Sequence, residues 1–238
     1  SPLANVARFV EWDWDRALEY AKRALALSPG DSLALSVSGA SHLYKGEFSE
    51  AHRYYDRAIT ADPLDPAHYP RKGAALVAER RFDEAILFSG DAERRFVAYP
   101  WLKINIITAH LNKASMTEAC RVAEEYAVMQ AGLAPFASLA GICYALSGRS
   151  KDGEAALDTL RARQTAEPSS ALSSELGFLL VALGRMDEAY PLLEKSYHER
   201  NFALLWLNLV HVFELFPFPL DERIKRLFAR MKIASSPW

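Results

Sequence analysis

Cysteine is scarce. Cys120 and Cys143 are the two cysteines of a 238-residue chain, too few for a disulfide framework. Each sits in an apolar helical setting, where a small buried side chain is the expected role, and a reducing, cytoplasmic compartment is expected. Long apolar runs are missing too. A membrane-spanning helix needs about 18 or more consecutive apolar residues; the nearest approach, Phe202 to Phe218, is broken by Asn208, His211, Glu214 and Pro217. No secretory signal opens the chain. It starts Ser1-Pro2-Leu3 without methionine, so a piece of a longer polypeptide is expected. No charge dominates: 28 basic against 30 acidic side chains give a formal net charge of −2. That balance offers no electrostatic case for direct nucleic-acid contact.

Reactive motifs are absent as well. There is no glycine-rich phosphate loop and no Gly-x-Ser-x-Gly elbow. His42, His52, His68, His110, His198 and His211 do not pair with another His or Cys at zinc-ligand spacing. No metal, cofactor or catalytic residue is therefore assigned, and the chain is not expected to be an enzyme. What remains is half hydrophobic and 24% charged, the composition of a folded protein.

What is present is a period. Ala17, Ala51, Ala85, Ala119, Ala155 and Ala189 are 34, 34, 34, 36 and 34 residues apart, and a fixed period in the thirties marks stacked structural units. Two residues before each alanine, Asp15, Ser49, Asp83, Thr117 and Asp187 are expected helix N-caps. The fifth unit has Gly153 there, with Asp152 the nearest substitute. Three residues before come Trp14, Phe48, Phe82, Met116 and Met186, apolar staples for the first turn. Five before come Gly46 and Gly184, with Gly148 displaced by a two-residue insertion, suited to the left-handed residue that closes a helix. Arg80 and Ala114 stand where that glycine is expected. Twelve before lie Gly39, Gly73 and Gly177, joined by Gly141. A mid-helix glycine costs about 1 kcal/mol against alanine, so a close helix approach is the expected compensation. Pro29, Pro63 and Pro168 end the second helices. Each unit reads as helix, turn, second helix.

Together these residues resemble the tetratricopeptide repeat family, best from Ser32 to Pro63 with Gly39, Gly46, Phe48, Ala51, Tyr55, Ala58 and Pro63 in place. The resemblance implies an all-α, right-handed α-α superhelix of about six hairpins over residues 1–200. The repeats fall at roughly 1–31, 32–65, 66–99, 100–133, 134–169 and 170–200, with C-terminal capping helices in 201–238. His42 and His110 stand where the family has an aromatic ring and are read as packed substitutes for one. The first helices would line a concave groove that holds a protein or peptide segment. Placed in register, the groove residues are Ser36, Ala40, Arg71, Ala74, Trp101, Asn105, Thr108, Ser138, Ile142, Ser174 and Phe178, with Val37, Pro70 and Glu175 beside them. Arg71 and Asn105 alone do not make the carboxylate clamp of some family members.

After Arg200 the repeat lapses. An apolar helix from Phe202 to Phe216, ended by Pro217 and Pro219, and an amphipathic helix from Asp221 to Lys232 are expected to cap the array. Glu11-Trp12-Asp13-Trp14-Asp15 and the tail from Leu220 to Ile233 are similar to the tetratricopeptide segment of bacterial nucleotide cyclases and winged-helix transcription regulators. The resemblance thus implies a regulatory or scaffolding part of a bacterial signalling protein. The competing reading is an oligomerisation element, homodimeric through the C-terminal helices, that positions an effector domain.

Overall fold

In the computed structural model, residues 11–97, 99–130, 132–166, 170–209, 212–215, 219–231 and 233 are described. All regular structure among them is helical. The helices are α1 (Trp14–Leu27), α2 (Ser32–Tyr44), α3 (Phe48–Ala61), α4 (His68–Ala78) and α5 (Phe82–Arg95). Then come α6 (Trp101–Asn112), α7 (Met116–Met129), α8 (Ala134–Leu146) and α9 (Ser150–Ala166). The chain continues with α10 (Ser170–Ala182), α11 (Met186–His198), α12 (Phe202–Leu209), a 3-10 turn (Val212–Leu215) and α13 (Glu222–Ala229). None of the described helices is long and apolar enough to cross a membrane.

One turn recurs between the first and second helix of each hairpin. At the end of α2, Gly46 adopts φ +74°. Its N–H donates to the Leu43 carbonyl at 3.0 Å, and the Glu47 N–H donates to the His42 carbonyl at 2.9 Å. This pair of bonds is a Schellman motif, which satisfies carbonyls the helix end would leave orphaned. The same pair closes α4, α6, α8 and α10 around residues 80, 114, 148 and 184. Gly148 and Gly184 supply the left-handed residue without strain; Arg80 and Ala114 adopt it at φ +62° and +57° despite carrying a Cβ. Trp12, two residues ahead of α1, has φ +54°. The second helix always starts two residues past the left-handed one.

That rule moves the helix starts. Trp14, Phe48, Phe82, Met116 and Met186 are first helical residues, not residues outside a cap. Asp15, Ser49, Asp83, Thr117 and Asp187, expected as caps, fall second in the helix. Their carboxylates, where present, sit in the first turn, where the helix dipole favours negative charge. The side chain that caps α1 is Asp13, whose Oδ1 accepts the Arg16 N–H at 2.9 Å.

The alanine is the fourth residue of each second helix. Ala17, Ala51, Ala85, Ala119 and Ala189 have no exposed surface. In α9 the fourth residue is Gly153, which is buried, whereas Ala155 is exposed. Ala155 is therefore not the crossing residue, and the period runs through Gly153. Pro168, expected to end the fifth unit, lies outside the described residues. The mid-helix glycines are compensated as expected. A Cβ on Gly39 would stand 2.8 Å from Tyr55 Cε1, and one on Gly177 would stand 2.6 Å from Leu193 Cδ2.

The residues form two compact units, each with its own interior. One comprises residues 11–105 with Met231 and Ile233; the other is Ile106–Arg230. In the first, Trp14 stacks on Tyr44 at 4.3 Å and His42 on Tyr54 at 5.3 Å, so His42 does pack as a ring. Tyr69, Ala92 and Leu102 join in a further cluster. In the second, Phe136, Leu157, Leu160, Phe178, Leu179 and Phe228 are fully buried. Cys120 and Cys143 are buried there, and a hydrogen bond between their thiols, with burial, holds Cys143 above the usual thiol range. The apolar C-terminal helix is shorter than expected. It is described over Phe202–Leu209, and Val212–Leu215, within the expected helix, is a 3-10 turn. Phe216, Pro217 and Lys232 lie outside the described residues. Asp221 caps α13 by accepting the Arg223 N–H at 2.7 Å, and Ile224, Leu227 and Phe228 face inward.

Candidate functional site

Within each unit, polar side chains link neighbouring first helices. In the first unit, Ser36 Oγ on α2 shares a 2.8 Å hydrogen bond with His68 Nδ1 on α4. Asn105 Nδ2 on α6 donates to the Pro70 carbonyl on α4 at 2.9 Å. In the second unit, Ser138 Oγ on α8 donates to the Glu175 carbonyl on α10 at 3.1 Å.

These bonds decide where the expected groove residues sit. Ser36, Ala40, Ala74 and Asn105 in the first unit, and Thr108, Ser138, Ile142, Ser174 and Phe178 in the second, are at most 4% exposed. Their side chains are therefore buried, where an open groove surface is expected from the repeat register, and Ser36, Asn105 and Ser138 bond to a neighbouring first helix. The cause is composition. In α2 every residue from Ala34 to Tyr44 is buried, because a helix that is small or apolar all round has no face to give to water. Arg71 is half-buried and Trp101 is 40% exposed, so these two remain accessible.

Trp101 has counterparts that the motif pattern alone did not single out. Leu33 and Ala67 precede it by 68 and 34 residues, one repeat period apart at the starts of the two preceding first helices: Leu33 is second in α2, and Ala67 immediately precedes α4. Leu33 is 41% exposed and Ala67 half-buried. The signal was the 34-residue period itself, counted back from Trp101. Leu33, Ala67 and Trp101, with Arg71 four residues after Ala67, are accessible positions near the starts of successive first helices in the first unit.

Two other sites carry charge. A pocket of about 200 Å³ lies among α3, α4 and α5. Its ionisable groups are paired: Lys72 with Asp56, and Arg81 with Glu84; nearby, His52 Nε2 lies 2.9 Å from Glu79 Oε2. Glu175, expected beside the groove, is instead buried. Desolvation pushes its carboxyl up to about 7, against a smaller pull downward from the Ser138 hydroxyl. Ser174 Oγ next to it is buried without a hydrogen-bond partner.

Comparison with known proteins fits this hairpin geometry. Residues 37–95, from the middle of α2 to the end of α5, match the tetratricopeptide repeat family. Residues 37–95 carry tetratricopeptide repeats. A repeat-containing thioredoxin of Arabidopsis thaliana, TTL4, is 38% identical over 61 residues, 26% of this chain. The chain spans 9% of the length of that curated relative. Among solved structures, a tetratricopeptide repeat protein from Parabacteroides merdae superposes with a TM-score of 0.63 at 14% identity, over 97% of this chain and 82% of its own. PilW, a type IV pilus biogenesis factor, gives 0.59 at 17% identity, over 85% and 91%. Yeast Tom70 gives 0.60 at 16%, over 84% and 42%. At such identities the likeness is one of fold. Tetratricopeptide repeat proteins bind protein or peptide partners.

Proposed function

We propose that this chain is a non-catalytic protein-interaction module whose first unit docks an extended segment of a partner protein along Leu33, Ala67 and Trp101. The observation that carries the reading is the exposure of Leu33 and Trp101, at 41% and 40%, in helices whose other apolar residues are largely buried. Large apolar side chains left exposed at the starts of α2 and α6, with Ala67 between them, suit well-separated apolar side chains of a partner segment. Arg71, four residues after Ala67, favours an acidic group on that segment.

The resemblance of residues 11–15 and of the 220–233 tail supports a place in a bacterial signalling or transcription-regulating protein, cytoplasmic and without direct contact to nucleic acid. A second reading has its own observation: Phe202, which opens α12, is 42% exposed, and self-association there would position an effector domain.

The test is capture of partners by the intact chain and by a Leu33→Glu, Trp101→Glu double variant. Both positions are about 40% exposed and a thermal melt checks that the fold survives the change, whereas Asn105→Ala would disturb packing instead. Loss of capture with an unchanged melt supports the reading; undiminished capture refutes it. Light scattering on dilution decides the second reading, since a concentration-independent monomer removes it.

A further inference from the structure

The loop between α3 and α4 gathers three metal-ligating side chains. Its sequence is Asp62-Pro63-Leu64-Asp65-Pro66-Ala67-His68, with the ligating types three residues apart. The loop folds tightly: Asp62 Oδ1 accepts N–H groups of Leu64 and Asp65 at 3.3 Å, and Asp65 Oδ1 accepts the Ala67 N–H at 2.9 Å. One ligand atom from each of Asp62, Asp65 and His68 lies within 4.8 Å of the other two.

The imidazole is the second observation. The His68 side chain is 1% exposed. Nδ1 is held by Ser36 Oγ at 2.8 Å. Nε2 is buried and makes no hydrogen bond, and it points toward the carboxylates, with Asp65 Oδ2 at 3.4 Å. A buried ring nitrogen without a hydrogen-bond partner is uncommon and calls for an explanation. Fixing one ring nitrogen through a neighbouring hydroxyl while the other faces two carboxylates is how ligating imidazoles are oriented. Arg71 brings a positive charge toward His68, but two carboxylates against one guanidinium leave the cluster negative.

We propose that Asp62, Asp65 and His68 form a binding site for a divalent transition-metal cation of the zinc class. One nitrogen and two carboxylate donors suit such an ion. Calcium and magnesium demand more oxygen ligands than this loop offers. Three protein ligands leave a coordination position for water or for a donor from a bound partner. The site stands whether or not Leu33, Ala67 and Trp101 form the docking surface.

The test uses the full 238-residue chain, stripped of metal and free of any affinity tag. Calorimetric titration with zinc chloride is expected to saturate at one ion per chain. Asp62→Asn with Asp65→Asn is expected to weaken binding about tenfold or more, and Ser36→Ala, which touches only the orienting group, about tenfold. His52→Gln, outside the cluster, should leave the affinity unchanged. A readout without variants guards against misfolding: manganese added to the unmodified chain should first broaden the backbone amide signals of residues 62–68. No saturable zinc binding, affinity unaltered by the paired asparagines, or broadening centred elsewhere would overturn the proposal.

Discussion

The carbonyl oxygen of Gly141 lies 3.5 Å from where a Cβ on Gly153 would stand. This is the crossing of α8 and α9, and it fixes the register of the fifth hairpin. Gly153 is the fourth residue of its helix, as Ala51 is of α3. The two extra residues of this unit therefore fall after the crossing, where α9 runs for 17 residues against 14 in α3. Gly141 is then twelve residues ahead of the crossing residue, in step with Gly39 ahead of Ala51.

Gly153→Ala should stabilise the protein. A Cβ there meets Leu183 Cδ2 at 3.1 Å, the tip of a half-buried leucine that can yield slightly. Alanine is favoured over glycine inside a helix by about 1 kcal/mol. A urea melt should show a gain approaching that figure; a loss would mean that α8 and α9 meet too tightly for even one methyl group.

The left-handed turns make a paired prediction. Ala114 holds φ +57° with a Cβ, so Ala114→Gly should gain about 0.5–1 kcal/mol. Gly148 holds φ +78° with no atom within 4 Å of where a Cβ would stand, so Gly148→Ala should lose about 1 kcal/mol through the backbone alone. Chemical denaturation of the two variants checks both signs.

Glu175 should make stability depend on pH. Burial raises its carboxyl from an ordinary value of 4.5 to about 7. Between those values the folded state keeps a proton that the unfolded chain has lost. Stability therefore falls as pH rises through the window and levels off above it, by the order of 3 kcal/mol. Glu175→Gln should flatten that slope and be the more stable form on the alkaline side. Melts of both proteins across pH decide it.

Much of the fold was legible because side-chain size and turn chemistry both obey the period. Ala51, Gly39 and Gly46 each carry one steric requirement, and the requirement reads directly from the residue. The fifth register was harder to read because Gly153 and Ala155 are both small, and size alone does not say which one faces a neighbour. The helix starts were shifted because Ser49 and Asp83 look like caps, yet the Schellman turn ahead of them fixes where the helix begins. The candidate site was least legible. Ser36 and Asn105 are polar, which suggests a surface, but their partners, His68 and the Pro70 carbonyl, lie 32 and 35 residues away, and local sequence does not reveal such bonds. His68 gave no signal either, because its carboxylate neighbours are ordinary loop residues until the chain turns.

Small residues at one phase of the repeat hold the hairpins together, and a leucine scan in urea tests this most directly. Ala51→Leu, Ala119→Leu and Ala189→Leu fill sites with no exposed surface and should each cost about 1–3 kcal/mol. Ala155→Leu, on an exposed site, should stay within about 0.5 kcal/mol of the parent. Equal cost at all four positions, or no cost at the first three, would contradict the account.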